Sequence, residues 1–326
     1  MKGEDPVRLV AILNSFNRVH LLRQALPSLA GALAECPFQT AIVAFEAGST
    51  DGSLEWLAEY QKRVEAAPVE VLRPAAGADR SLSAGVNAAA RYSLQKFPHL
   101  EWLFLFETDN LISGGAPMLA ALEVLKNIPD LAAIGFTVKK RSGEGAGFGC
   151  SMPTVTQFVL GQQVTNWLRL DVPHIREWHE NLGIRWAACD VVYTSPLLIR
   201  RSAWEEIGGP DVGSFPFCDT DVDWSWRAAE NGWRMGVIET SMVVHDNQGV
   251  ASEWSAARVV NFHRARLRLL AKHTRVPLGP VKMLLLCRHI LELILTVLAS
   301  PFLHDPKSKL HKRRVLLKSV LRNYEY

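Results

Sequence analysis

An α/β domain with a mostly parallel central sheet flanked by helices, followed by a basic helical extension, is the fold class this sequence predicts. Short, largely apolar runs recur at Arg8–Leu13, Ala41–Phe45, Val69–Leu72, Trp102–Phe106 and Leu131–Val138, as strands buried on both faces of a parallel sheet require. Stretches with apolar residues three and four apart, such as Leu22, Leu26, Leu29 and Leu33, separate these runs. Strand–helix alternation of this kind favours parallel pairing. Charge is divided along the chain. Residues 255–326 carry 15 Lys and Arg against 3 Asp and Glu, a net +12, and the rest of the 326 residues carry −9. An acidic body with a basic tail points to an anionic partner for the tail.

Taken in order, residues 14–18 form the loop after the first strand, and His20 to Leu33 the first helix. The second strand runs into Glu46-Ala47-Gly48-Ser49-Thr50-Asp51-Gly52-Ser53, and a helix follows to about residue 64. A strand entering a small-residue turn and a helix amino terminus suits an anion or a base, because free backbone N–H groups face it. The same residues serve equally as a turn and a cap. Ser81 to Leu94 is an Ala-rich helix with Gly85 and Asn87 near its start, and Ala116 to Lys126 is another. Lys139 to Gly149 is Gly-rich and charged, the pattern of a mobile loop, and residues 150–185 show no clear period. Trp186 to Arg200 has strand character, with Asp190 inside it. Arg201 to Ile207 is a short helix stopped by Gly208-Gly209-Pro210, and Arg234–Ile238 and Met242–Val244 are the last strands.

Chemistry concentrates in Trp102-Leu103-Phe104-Leu105-Phe106-Glu107-Thr108-Asp109-Asn110. Ligands of open α/β sheets lie beyond the carboxyl ends of the strands, so Glu107 and Asp109 would emerge there. Hard oxygen donors suit Mg²⁺ or Mn²⁺; two solvated acids at a strand end are the alternative. Asp219, Asp221 and Asp223 open a later helix, where acids also act as caps. His245 closes the last strand, a place a backbone-satisfied histidine fills as well. Asp190 is either a buried, hydrogen-bonded acid or part of an acceptor site, and Asp223 fits a cap or a surface acid. Five scattered cysteines without a CxxC pair indicate neither a zinc knuckle nor a disulfide framework. Residues 1–6 have no apolar run, so a cytoplasmic setting is expected.

The order Asn17-Arg18, Glu46 with GSTDGS, Gly85-x-Asn87, Glu107-Thr108-Asp109, WAACDVVYTSPLLIRRSAWEEIGG, TDVDWSWR and VVH resembles family-2 inverting glycosyltransferases of the GT-A fold, whose sheet is Rossmann-like. Within that family it is similar to bacterial rhamnosyltransferase-like enzymes of cell-surface glycans, over roughly residues 7–275. The resemblance implies a catalytic domain at residues 1–254, with a nucleotide-sugar half to about 115 and an acceptor half from about 116, and a tail at 255–326. It implies that Glu107, Asp109 and His245 hold the metal and that Asp221 is the catalytic base, with Thr220 where a Glu is usual. Asn17, Glu46, Ser49, Asp79, Asn87 and Thr108 would line the donor site, Glu46 standing where a shorter Asp usually meets the base. Asp190, Asp219 and Trp224 would lie on the acceptor side. The donor would be a UDP-, dTDP- or GDP-sugar, and the acceptor a glycan or a lipid-linked hydroxyl in polysaccharide synthesis.

Two other readings of the chain stay open: a sugar-nucleotide pyrophosphorylase and a catalytically silent membrane-associated scaffold. In the tail, Asn261 to His273 is a basic helix. Val281 to Leu303 is apolar apart from Arg288, His289 and Glu292, and its uninterrupted part, Leu293 to Leu303, falls short of the ~20 residues that cross a bilayer. The basic and apolar residues that follow suit the interface of an anionic membrane at the inner face of the cell; a helical hairpin or a homo-oligomer contact is the alternative. No nucleic-acid reading motif accompanies the charge.

Overall fold

In a computed structural model describing residues 5–63, 67–170, 175, 177–181, 183–245 and 255–322, the apolar runs become β1 (Val7–Ser15), β2 (Gln39–Glu46), β3 (Val69–Leu72) and β4 (Trp102–Glu107). Then come β5 (Asn110–Ile112), β6 (Leu131–Phe136), β7 (Val138–Lys139), β8 (Gly145–Gly147), β9 (Gly149–Cys150) and β10 (His179–Asn181). The last strands are β11 (Ile184–Cys189), β12 (Val191–Val192), β13 (Leu197–Arg200), β14 (Arg234–Ile238) and β15 (Val243–His245). The helices are α1 (Val19–Ala34), α2 (Ser53–Gln61), α3 (Leu82–Lys96), α4 (Ala116–Asn127), α5 (Val155–Leu160) and α6 (Gln162–Trp167), then α7 (Arg201–Ile207), α8 (Thr220–Glu230), α9 (Ala256–His273), α10 (Leu278–Ala299) and α11 (Pro306–Leu321). One unit comprises Met1–Met152 with Pro173–Gln248, the other Pro153–Val172 with Gly249–Tyr326.

The first unit is built on a nine-stranded sheet of order β10-β11-β14-β6-β13-β4-β1-β2-β3. All its strands except β11 and β13 run in one direction, so the mostly parallel sheet is present. Alternation along β1 explains why its run is apolar throughout. Leu9, Ala11 and Leu13 join one core with Leu22 and Leu26 of α1, and Val10 and Ile12 join the other with Val86 of α3 and Trp224 of α8.

Two stretches differ from expectation. Residues 139–149 are not simply a loop: β7 and β8 pair antiparallel and extend a small sheet of order β5-β15-β7-β8. Residues 186–200 are three strands in two sheets, because β11 pairs with β14, β12 with β9, and β13 lies between β4 and β6. Asp190 sits at the break between β11 and β12, where it is exposed. It is therefore neither inside a strand nor buried. Helices α5 and α6 occupy residues that showed no period, and at six residues each they are too short to register one. Helix α2 ends at Gln61, and residue 64 lies outside the described residues.

The second unit is helical. Phe158 of α5 is buried with Val260 and Leu267 of α9, Val281 and Leu285 of α10, and Leu316 and Val320 of α11.

Candidate functional site

The register of the sheet puts Asn14 of β1 level with Phe45 of β2 and Glu107 of β4, and Ser15 level with Glu46. These are the carboxyl ends of three adjacent parallel strands, and a cavity of about 540 Å³ opens beside them. Its walls include Asn14, Ser15, Arg18, Asp79, Glu107 and Thr108. Phe16 and Phe217 also line it, 57% and 63% exposed.

Two loops are tied together at its rim. Asn17, held at φ +50°, donates its N–H to Ser49 Oγ at 2.9 Å and accepts at Oδ1 from the Thr50 N–H at 2.8 Å. Asp51 accepts from the Val19 N–H at 2.8 Å and from the Ser53 hydroxyl at 2.6 Å, joining the starts of α1 and α2. Glu46 is 1% exposed and accepts from the N–H groups of Gly48 at 3.0 Å and Ser49 at 2.7 Å. Its extra methylene, compared with Asp, lets the carboxylate fold back onto its own loop. Glu46 does not line the cavity, so the expected contact with a base is replaced by a structural one. Asp79 does line it, and accepts from the Ser81 N–H at 2.7 Å. Asn87 does not reach it: on α3 its amide donates to the Pro210 carbonyl at 2.9 Å and fastens the loop after α7.

The carboxylates gather on the other side. Asp109 is 5% exposed. Its Oδ2 meets Arg18 Nη1 at 3.1 Å, while Oδ1 lies 3.8 Å from His245 Nδ1. His245 stands opposite Asn110 in the β15–β5 pair, and its Nδ1 is 3.1 Å from Asn110 Oδ1. Asn110 is held in turn by Ser195 Oγ, which also accepts from the Glu107 N–H at 3.0 Å. Burial pushes the Glu107 carboxyl well above the usual carboxylate range. The charges of Asp109 and Asp221 add to this, against the opposing pull of Arg18. Asp221, in the first turn of α8, is thus near enough to act on Glu107 although it is more than a hundred residues away. The Asp221 carboxylate also accepts from the Val222 N–H at 3.0 Å.

Other residues of α8 are structural. Trp224 is 3% exposed and donates its indole N–H to the Gly208 carbonyl at 2.9 Å, so it is a core residue and offers no acceptor platform. Asp223 is fully buried against Arg227 at 2.9 Å, not a cap or a surface acid. Thr220, in the usual Glu position, donates to the Phe215 carbonyl at 3.2 Å. Asp219 is the residue before α8, in the left-handed region at φ +57° and 7% exposed. Asp190 lies apart, lining a separate cavity of about 420 Å³ with His179 and Trp233.

Reading the sequence alone missed Arg18, Arg80, Phe16 and Phe217 at the cavity. Arg18 had a signal, since it adjoins Asn17 in the loop after the first strand.

The fit to a divalent cation rests on one orphaned oxygen. Asp109 Oδ1 is buried with no hydrogen-bond partner among the described residues, which native interiors rarely tolerate, and it lies 3.8 Å from His245 Nδ1. No group of three or more His, Cys, Asp or Glu forms a ready-made cage among the described residues. Mg²⁺ takes one or two carboxylates from protein and the remainder from substrate phosphates and water, and Asp109 and Glu107 would supply those carboxylates. The donor set fits.

No protein-family profile and no curated protein sequence matches the chain. Solved structures do. The chain is similar to a mannosyltransferase from Pyrobaculum calidifontis solved with GDP-Man and Mn²⁺, at 15% identity and TM-score 0.57 over 99% of this chain and 88% of that one. It is similar also to residues 1–349 of TarS from S. aureus solved with UDP, at 11% identity and TM-score 0.53 over 98% and 93%. The fold is therefore the mixed α/β, GT-A-like architecture of those two structures, with a helical segment at the carboxyl end.

Proposed function

We propose that the chain is a metal-dependent inverting glycosyltransferase that moves a sugar from a nucleoside-diphosphate donor to a hydroxyl of a glycan or lipid-linked acceptor. The observation that carries this reading is Glu107 on the wall of a cleft at the carboxyl edge of the sheet, with the charges of Asp109 and Asp221 acting on it and His245 3.8 Å from Asp109. The GDP-Man and UDP held by the two similar structures support a nucleotide-sugar donor.

In this reading the diphosphate lies across the ends of β1 and β4, with Asp109 and Glu107 supplying oxygens and His245 closing the cluster. A divalent cation bound there supplies Lewis-acid stabilisation of the charge that grows on the departing phosphate. Arg18 and Arg80 add fixed positive charge along the cleft. Asp221 accepts the proton of the attacking hydroxyl. One base and direct displacement invert the anomeric carbon. Ser49, Thr108 and Asp79 border the donor, and Asp219, the residue before Thr220 and Asp221, belongs to the acceptor side. The place of action is the cytoplasmic face of the membrane, in cell-surface polysaccharide synthesis.

UDP-, dTDP- and GDP-sugars, each incubated with Mn²⁺ or Mg²⁺, should reveal one donor whose nucleoside diphosphate is released. Asp109→Ala and Asp221→Asn should each lower that rate by about 10²–10⁴-fold. Full turnover in Asp221→Asn would remove the base from the scheme. Pyrophosphate released from a sugar phosphate and a nucleoside triphosphate would replace the reading altogether.

A further inference from the structure

Helix α10 reverses the pattern of an ordinary surface helix. From residue 283 to residue 302 every well-exposed residue is apolar or a thiol. Leu284, Leu291 and Leu298, seven apart and on one line, are 51%, 56% and 69% exposed, and Phe302 beyond them is 89% exposed. The polar residues of the same helix face inward. His289 is 1% exposed, and Arg288 donates to the carbonyls of Phe158 at 2.8 Å and Val159 at 3.2 Å while pairing with Glu292 at 2.9 Å. Glu292 is met also by Arg313 of α11. Beside this face lies a groove of about 540 Å³ with Leu295, Leu303 and Leu316 in its walls and Lys309, Lys312 and Arg313 among them.

We propose that this face docks in the plane of a bilayer containing anionic phospholipid. The α10 stripe lies among acyl chains, and the basic side of the groove holds a lipid phosphate. A contiguous exposed apolar patch of this size marks a membrane or a protein contact, and three observations choose between the possible occupants. Residues 278–302 are long and apolar enough to cross a membrane by length and composition. A crossing would carry Arg288, His289 and Glu292 to mid-bilayer, where ionisable groups are costly, whereas here their partners come from α5 and α11 on the inner side. A second copy would bring an identical basic rim against this one, on a tail of net +12, and like charges across an interface oppose association. An anionic bilayer complements both the apolar stripe and the charge. The proposal sharpens the peripheral-membrane part of the functional reading but does not depend on glycosyl transfer.

The test is flotation of the full-length protein with vesicles of phosphatidylcholine, with and without phosphatidylglycerol, alongside a thermal melt of each variant. Binding to the phosphatidylglycerol vesicles is expected. It should be abolished in Leu291→Glu/Leu298→Glu, and lowered about 25-fold in Lys309→Gln/Lys312→Gln, since each basic residue near an anionic surface is worth about fivefold. No flotation of the wild type overturns the proposal, as does undiminished binding by the leucine variant when it melts like the wild type. A lipid-free dimer that the leucine substitutions dissociate would assign the face to a second copy. Flotation does not depend on turnover, so failure here leaves the enzymatic reading standing, and an inactive protein that still floats leaves this one standing.

Discussion

At the carboxyl edge of the sheet Asp109 keeps one oxygen without a partner, and burial together with neighbouring carboxylates drives Glu107 toward its protonated form. In the helical unit Glu292, also partly withdrawn from water, is met by Arg288, His289 and Arg313 at once. The hydrogen bond from His289 and the charges of Arg288 and Arg313 outweigh its desolvation and hold it down at about 2. Both places bury carboxylates, but one leaves like charges crowded and the other neutralises them. Crowding of that kind costs stability and persists where a ligand relieves it. Neutralisation from within is a framework, and here it lets α10 present a wholly apolar outer face.

If that contrast holds, substitution should act oppositely in the two places. Asp109→Ala relieves the crowding of Glu107 but gives up the part-exposed pair with Arg18, worth about 0–1 kcal/mol, so the rate loss expected above should come with an unfolding midpoint close to or above that of the wild type. Glu292→Ala should behave the other way. It strands Arg288 beside a buried histidine and should cost about 3 kcal/mol, the lower end for breaking a buried pair, with donor turnover per folded molecule unchanged. A melting curve and a rate for each variant decide the matter. A fall in stability for Asp109→Ala as large as for Glu292→Ala would erase the distinction.

Acid should separate the two places next. Burial, helped by the nearby charge on Arg288, depresses His263 from 6.5 to about 4. The unfolded chain then takes up this proton more readily than the folded one between those values. The contribution to stability is whole above about 6.5 and is lost as pH falls toward 4, an effect of up to about 3 kcal/mol. Glu292 adds a second loss between 4.5 and about 2, of the same sign because its folded form also binds the proton less readily. Glu107 acts in the opposite sense, its raised carboxyl adding stability as pH falls from about 8 toward 4.5. Chemical denaturation at stepwise lower pH should therefore show the two losses as differences from His263→Phe and from Glu292→Ala. His263→Phe should remove the first loss, and its persistence in the variant would assign it to another group.

The sheet was legible because strands buried on both faces leave nearly continuous apolar runs, and because Glu107 and Asp109 follow directly on one of them. What escaped had no periodic or compositional trace. The six-residue helices α5 and α6 are shorter than two turns. The three strands within residues 186–200 look continuous in sequence because all are buried, and only their partners divide them. Glu46 and Asn87 were assigned to the donor site by position in a motif, but the direction of a side chain follows from packing: one folds onto its loop and the other fastens Pro210. The resemblance puts Trp224 on the acceptor side, yet a large ring with a backbone acceptor for its N–H fills a core equally well. Asp221 and His245 needed the fold to bring them to Glu107 and Asp109, and their spacing in sequence carried no measure of that approach.

The smallest effect concerns two glycines, one in each unit. Gly85 lies where α3 passes over the end of the sheet. A Cβ there would collide with the Asn14 amide oxygen and stand 2.7 Å from the Phe45 ring. Both neighbours line the cleft, so Gly85→Ala can be accommodated only by displacing the cleft wall, at about 1–3 kcal/mol for overpacking. Gly279, near the start of α10, has nothing within 4 Å of such a carbon. There alanine should be neutral or stabilising by up to about 1 kcal/mol, the difference in helix propensity. The thermal shift produced by UDP or GDP, whichever the wild type binds, should therefore shrink in Gly85→Ala and remain full in Gly279→Ala. An undiminished shift in Gly85→Ala would mean that Asn14 and Phe45 can move without disturbing the donor, and would place the nucleotide away from the end of β1.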